Sequence, residues 1–135
     1  FTVLSTIGLV INGGFLGVSA YLIAQELFIQ RRVTGDMIKG GICAYVILGL
    51  CWYTLYQISF LWNPDSIQVN CEGCSLDLVY FSFTTLTSLG YGDIVPSTTW
   101  LRSLSNLEAI VGLLYPGIFI ARLVSLYSHD EHEEA

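Results

Sequence analysis

Charge is the scarcest commodity in this chain. Only 12% of its residues are Asp, Glu, Lys or Arg, half the roughly 25% that soluble domains carry. Lys and Arg number 5 against 11 Asp and Glu, for a formal charge of −6. A chain so poor in basic residues offers no surface for nucleic acid or other polyanions. It also lacks a nucleophile–base pair, a phosphate-cradling glycine loop and a cofactor motif, so no enzyme chemistry is expected. No internal repeat occurs, and low complexity is confined to the acidic end. What is present in excess is apolar: 53% of residues are hydrophobic and the mean hydropathy is +0.63. That excludes disorder and a coiled coil. The chain starts at Phe1 rather than Met, which leads us to expect a fragment.

The few charges are unevenly placed. Phe1 to Gln25 holds none, and neither does Gly40 to Pro64. Each run exceeds the ~20 apolar residues that cross a hydrocarbon core. The first is too long for a signal peptide and has no basic stretch before it. Residues 1–30 therefore read as one transmembrane helix and 38–62 as a second. Arg31 and Arg32 lie between them and Lys39 at the start of the second, three of the five basic residues. The positive-inside rule places that link in the cytoplasm. Tyr53, Tyr56, Phe60 and Trp62 then read as an aromatic belt at the outer interface. Asn63-Pro64-Asp65 ends the helix by turn chemistry. A third apolar stretch, 100–127, is interrupted by Glu108 and Arg122. An odd number of spans puts the acidic tail, 128–135, in the cytoplasm, where disorder is expected.

Residues 63–99 fit neither span nor simple loop. Leu78 to Gly92 carries no charge and opens on Leu78-Val79-Tyr80-Phe81, yet is too short to cross. Both its ends lie on the outer side. That describes a re-entrant segment, whose non-helical part must be buried in protein or line a watery path.

The segment ends Thr84-Thr85-Leu86-Thr87-Ser88-Leu89-Gly90-Tyr91-Gly92-Asp93. It resembles the pore loop of potassium channels, whose filter reads Thr-Val-Gly-Tyr-Gly-Asp. The likeness runs from about the second span through Pro96, Trp100 and Arg102 to Gly112 in the third. Tyr80-Phe81 fall where that family has an aromatic pair. Alone, Gly-Tyr-Gly is a weak signal and could mark a surface turn. With a Thr-rich helix before it, Asp93 after it and spans on both sides, it becomes specific.

The resemblance implies an all-α integral membrane protein: three transmembrane helices, a re-entrant pore helix and a filter loop, in a homotetramer around a central pore. The expected activity is passive conduction of K+, the permeant ion and the only expected ligand. A K+ ion entering protein must exchange water for equivalent oxygens. An extended strand offers one carbonyl about every 3.3 Å, but successive carbonyls face one axis only if backbone handedness alternates. Gly90 and Gly92 permit φ > 0. The implied K+ ligands are the carbonyls of Ser88, Leu89, Gly90 and Tyr91, with the Ser88 hydroxyl at the inner mouth. Gly92 completes the filter, and Tyr91 packs outward. Thr84, Thr87, Asp93 and Glu108 are the expected supports, Asp93 also concentrating cations. The pore helix, about Leu76 to Thr87, would aim the negative end of its dipole at the cavity. Ser88 and Leu89 depart from the family's stiffer Thr and Val, which leaves a weakly selective cation channel as an alternative. A non-conducting subunit is another.

Gly112, Pro116 and Gly117 are candidate hinge positions, read alternatively as a packing glycine and an ordinary proline kink. Leu113, Ile120 and Val124 are candidates for a hydrophobic gate. Glu108, ionisable inside a span, is expected in a network behind the filter, able to pair with a pore-helix hydroxyl such as Thr84 or Thr85, and is read alternatively as a buried structural glutamate. Arg122 reads as an anchor in the inner leaflet, and no arginine repeat of a voltage sensor is present. Cys71 and Cys74 are disulfide candidates, within or between subunits. The alternative of another class is a membrane thiol–disulfide protein using that pair. Cys43 and Cys51 read as packing residues. His129 and His132 could hold a divalent ion, although a solvated tail is the simpler reading. Gly13-Gly14-Phe15-Leu16-Gly17 suits close packing of the first span on the second. The partners expected are further copies of the chain and membrane lipid. No regulatory ligand is legible.

Overall fold

The computed structural model describes residues 2–29, 34–70 and 75–133. Helix α1 is Thr2–Ile29 and α2 is Gly35–Trp62. A 3-10 turn, Pro64–Ser66, leads into strand β1, Ile67–Val69. The short helix α3 is Leu78–Leu86, strand β2 is Ile94–Pro96 and helix α4 is Thr99–Glu133. Within α1, α2 and α4 the stretches Val3–Ile23, Gly35–Trp62 and Thr99–Ser128 are long and apolar enough to cross a membrane. The protein is an all-α membrane fold with one short helix between its second and third spans.

Local chemistry sets the boundaries. Thr34 caps α2 by accepting the Met37 amide on its hydroxyl at 3.3 Å, so α2 starts at Gly35 and not at residue 38. A capping hydroxyl satisfies one of the donors that a first helical turn leaves free. At the other end Asn63 donates its amide to Ser59 O at 3.0 Å, and Pro64 follows. Asp77 caps α3 by accepting the Tyr80 amide at 3.0 Å. Helix α4 runs on to Glu133, which corrects the expectation that the tail is disordered from residue 128. No glycine or proline follows Gly117, so nothing in the sequence stops the helix there.

Helix α1 lies along α2, whereas α2, α3 and α4 pack on one another. Of the glycine pattern in α1, only Gly13 meets α2: a Cβ there would lie 3.2 Å from Thr54 Oγ1, while Gly14 and Gly17 face open space. Close approach among the other helices depends on different glycines. A Cβ on Gly49 would lie 2.8 Å from the Phe83 ring, and one on Gly41 would overlap the Phe119 ring. Buried residues form two clusters. One gathers Trp52, Tyr56, Ile67, Phe81, Leu86, Ile94 and Leu101 near the strands. The other centres on Met37 and Ala44, with Tyr115, Phe119 and Leu123 against them. Tyr56 is fully buried, so it belongs to the core and not to the expected aromatic belt. Trp62, the last residue of α2, is 77% exposed.

Candidate functional site

The segment after α3 is built by main-chain bonds to that helix's own last turn. Leu89 and Gly90 both donate their amides to the Thr84 carbonyl, at 2.9 and 3.2 Å. Ser88 donates to Thr85 O at 2.9 Å and Thr87 to Phe83 O at 3.1 Å. The chain thus leaves the helix and doubles back beneath its C-terminal carbonyls. Beyond it the backbone alternates: φ is 57° at Ser88, 53° at Gly90 and 80° at Gly92, with no positive φ at Leu89 or Tyr91. Glycine takes this region without steric cost. Serine does not, and the positive φ at Ser88 was not anticipated from the sequence. Asn, Asp and His, the residue types that usually flag such a position, are absent there. Alternating handedness turns successive carbonyls toward one side. Among the described residues, no hydrogen bond is donated to the carbonyls of Ser88 to Gly92. Five adjacent unpaired carbonyls on exposed backbone form a row of acceptors.

Tyr91 turns back to α3 and stacks on Tyr80, with ring centroids 6.2 Å apart and planes 7° from parallel. A cleft behind this segment is lined by Thr84 and Thr85 of α3, Gly90 to Gly92, Pro96, and Arg102, Ser105 and Asn106 of α4.

Glu108 is completely buried. Its carboxylate accepts from Ser82 Oγ at 2.6 Å and from the Tyr56 hydroxyl. Ser82 also lies 2.8 Å from the Gly49 carbonyl, and Tyr56 lies 3.4 Å from Ser105 Oγ. This polar knot joins α2, α3 and α4. The hydroxyl of the short helix that Glu108 meets is thus Ser82 and not the named examples Thr84 and Thr85, whose hydroxyls turn back onto Phe81 O at 3.0 and 2.8 Å. In a helix a threonine hydroxyl reaches the carbonyl one turn earlier more readily than a partner across an interface. Thr84 supports the segment through its carbonyl, and Thr87 bonds Phe83 O through its hydroxyl at 2.7 Å. The sequence reading missed Ser82 and Tyr56. Ser82, a hydroxyl between Phe81 and Phe83 in an apolar helix, was the signal that could have found the first.

Gly112 marks the crossing of α4 with the end of α3. A Cβ there would overlap the Leu86 carbonyl, so only glycine fits. Pro116 cannot donate the amide that Gly112 O would otherwise receive. The Tyr45 hydroxyl takes up that place, 3.4 Å from Gly112 O and 3.3 Å from Leu86 O. Gly117 faces open space. Leu113, Ile120 and Val124 lie exposed on the side of α4 away from Gly112, Tyr115 and Phe119. Cys71 and Cys74 lie outside the described residues, as do the side chains of His129 and His132. Cys43 and Cys51 are free thiols.

A family model described as "Ion channel" matches residues 40–129. The chain is 31% identical over 81 residues to "Two-pore potassium channel 4" of Arabidopsis thaliana, covering 60% of this chain and 26% of that protein. It is 25% identical over 100 residues to "Two pore potassium channel a" of Oryza sativa subsp. japonica, covering 74% and 27%. It is 30% identical over 93 residues to "Protein LctB" of Bacillus caldotenax, covering 69% and 66%. The chain thus spans about a quarter of the length of these two plant relatives. No solved structure matches it.

Proposed function

This chain belongs to the ion-channel family, and on that premise we propose that four copies of it surround a pore that conducts K+ passively. The observation that carries this reading is the alternation of positive φ at Ser88, Gly90 and Gly92 beside five unpaired carbonyls. Each copy supplies one face of carbonyl oxygens. Four faces replace the water around an ion. The K+ ligands are the carbonyls of Ser88, Leu89, Gly90 and Tyr91, with Gly92 at the outer end. Thr84 holds the inner half of the filter through its carbonyl, and Asp93 draws cations to the outer mouth. Helix α4 lines the inner pore, where Leu113, Ile120 and Val124 form the apolar constriction. The region around Gly112, Pro116 and Gly117 is where α4 bends to open it. The filter and the loop that carries Cys71 and Cys74 face outward. The basic stretch 31–39 and the acidic end of α4 face the cytoplasm.

The names of the plant relatives speak of potassium channels, which supports K+ as the permeant ion. Ser88 and Leu89 favour one second reading, a cation channel of weaker selectivity. Both lack the β-branched stiffness of Thr and Val. Flux from liposomes containing the purified chain tests both readings. K+ efflux well above Na+ efflux is the expected result. Equal rates select the second reading, and no efflux of either ion overturns conduction.

A further inference from the structure

The two halves of the filter segment are fastened by different parts of the chain. Thr84 and Thr85 carbonyls pin the amides of Ser88 to Gly90. Among the described residues, no such bond reaches Tyr91 or Gly92. The next main-chain attachment is at Asp93, whose carbonyl receives the Asn70 amide at 2.7 Å. That bond ends an antiparallel ribbon in which Ile67 faces Pro96, Gln68 faces Val95 and Val69 faces Ile94. At its other end Ser97 donates to Ser66 O at 2.8 Å. Bonded pairs alternate along such a ladder, so they fall at 66/97, 68/95 and 70/93. Pro96 therefore occupies a pair that needs no amide, which is why a proline is tolerated in this strand. Ile67 and Ile94 anchor the ribbon in the core, each 6% exposed. Arg102 Nε donates to Pro96 O at 3.1 Å and ties it to α4.

We infer that the β1–β2 ribbon is a strap that positions the outer half of the filter, and that it thereby sets how well the pore discriminates between K+ and Na+. The inference rests on the proposed conduction. Its agents are main-chain amides of β1 and of the residue that follows it, principally Gln68 and Asn70, and not their side chains. Gly92 has a positive φ, and a Cβ there would meet open space. Apart from the strap, this half of the filter is tied to α3 through the Tyr91 ring stacked on Tyr80, which leaves the main chain at Gly92 dependent on the strap to keep its carbonyls at one distance from the axis. A small ion gains when carbonyls can move inward, so a loosened outer half loses discrimination before it loses conduction.

Proline replaces the amide and alanine keeps it, which separates backbone from side chain. The variants are Gln68→Pro and Asn70→Pro, compared with Gln68→Ala and Asn70→Ala. Each is purified, its oligomer measured by cross-linking, and K+ and Na+ efflux from liposomes recorded. The expected result is that the proline variants assemble and conduct while their K+/Na+ efflux ratio falls about tenfold. The alanine variants stay near the parent. Proline variants with the parent ratio overturn the strap. So do alanine variants that fall equally, or proline variants of both positions that fail to assemble, since these assign the loop to side-chain or folding roles. A parent that does not conduct K+ overturns the proposed function itself, and is read before any variant.

Discussion

The filter segment and the Glu108 knot lie against the same nine-residue helix, yet they are held in different ways. The filter is fixed by amide-to-carbonyl bonds and leaves its side chains out: Leu89 is 56% and Tyr91 67% exposed. The knot is fixed through side chains, one of which also reaches the Gly49 carbonyl, with Glu108 and Ser82 fully buried. A backbone-held loop tolerates changes of side chain but not changes of φ. A buried side-chain knot does the reverse. It is indifferent to handedness and intolerant of any change that leaves a donor without its acceptor. The contrast suits the work assigned to each. Carbonyls must be presented to an ion without side chains in the way, while the helix that carries them must not move.

The contrast can be broken most severely at Gly112, where the two regions share a foundation. Gly112→Val should prevent α4 from meeting the end of α3. Its cost should exceed the ~3 kcal/mol upper range of ordinary overpacking, because the collision is with backbone. The expected outcome is loss of both oligomer and monodisperse monomer in detergent, read by size-exclusion chromatography. Gly90→Ala and Gly92→Ala come next. A side chain in the left-handed region costs about 1–2 kcal/mol in each subunit. These variants should insert and assemble normally while K+ efflux is lost. Efflux at the parent rate would show that φ at these positions does not hold the carbonyls.

Glu108→Ala tests the other side of the contrast. It removes the carboxylate that accepts from the Ser82 and Tyr56 hydroxyls and leaves them the Gly49 carbonyl and Ser105 Oγ, at a cost of about 1–3 kcal/mol in all. Thermal unfolding in detergent should shift downward, and Glu108→Gln, which keeps an acceptor oxygen, should recover part of the shift. Asp77→Ala removes the cap of α3 and should cost about 1 kcal/mol. Its effect on unfolding should be smaller than that of Glu108→Ala, with efflux retained. The smallest effect is expected at Leu89. Leu89→Val changes an exposed side chain and should leave stability unaltered. The stiffer side chain should raise the K+/Na+ efflux ratio by about twofold or less. Ser88→Thr is a poorer probe of the same idea, because a β-branched residue is disfavoured at the 57° φ of Ser88.

The sequence by itself determined that this is a membrane protein with three spans and a short re-entrant helix, and where its filter-like segment lies. Those features are written in runs of uncharged residues and in a local motif, and both are properties of the chain read one stretch at a time. The glycines at 90 and 92 announced their own backbone freedom for the same reason. The tertiary structure alone decided which polar side chains meet. Glu108 finds Ser82 and Tyr56, and not the nearer-seeming Thr84 or Thr85, because partners across three helices depend on rotation and depth that no single stretch encodes. It decided that Gly112 is a place of contact and that Tyr45 fills the gap left by Pro116. It also paired residues 67–69 with 94–96, strands too short to carry a periodic signal. Their pairing arises because the helices on either side bring two loops together, and the loops' free amides and carbonyls then satisfy each other.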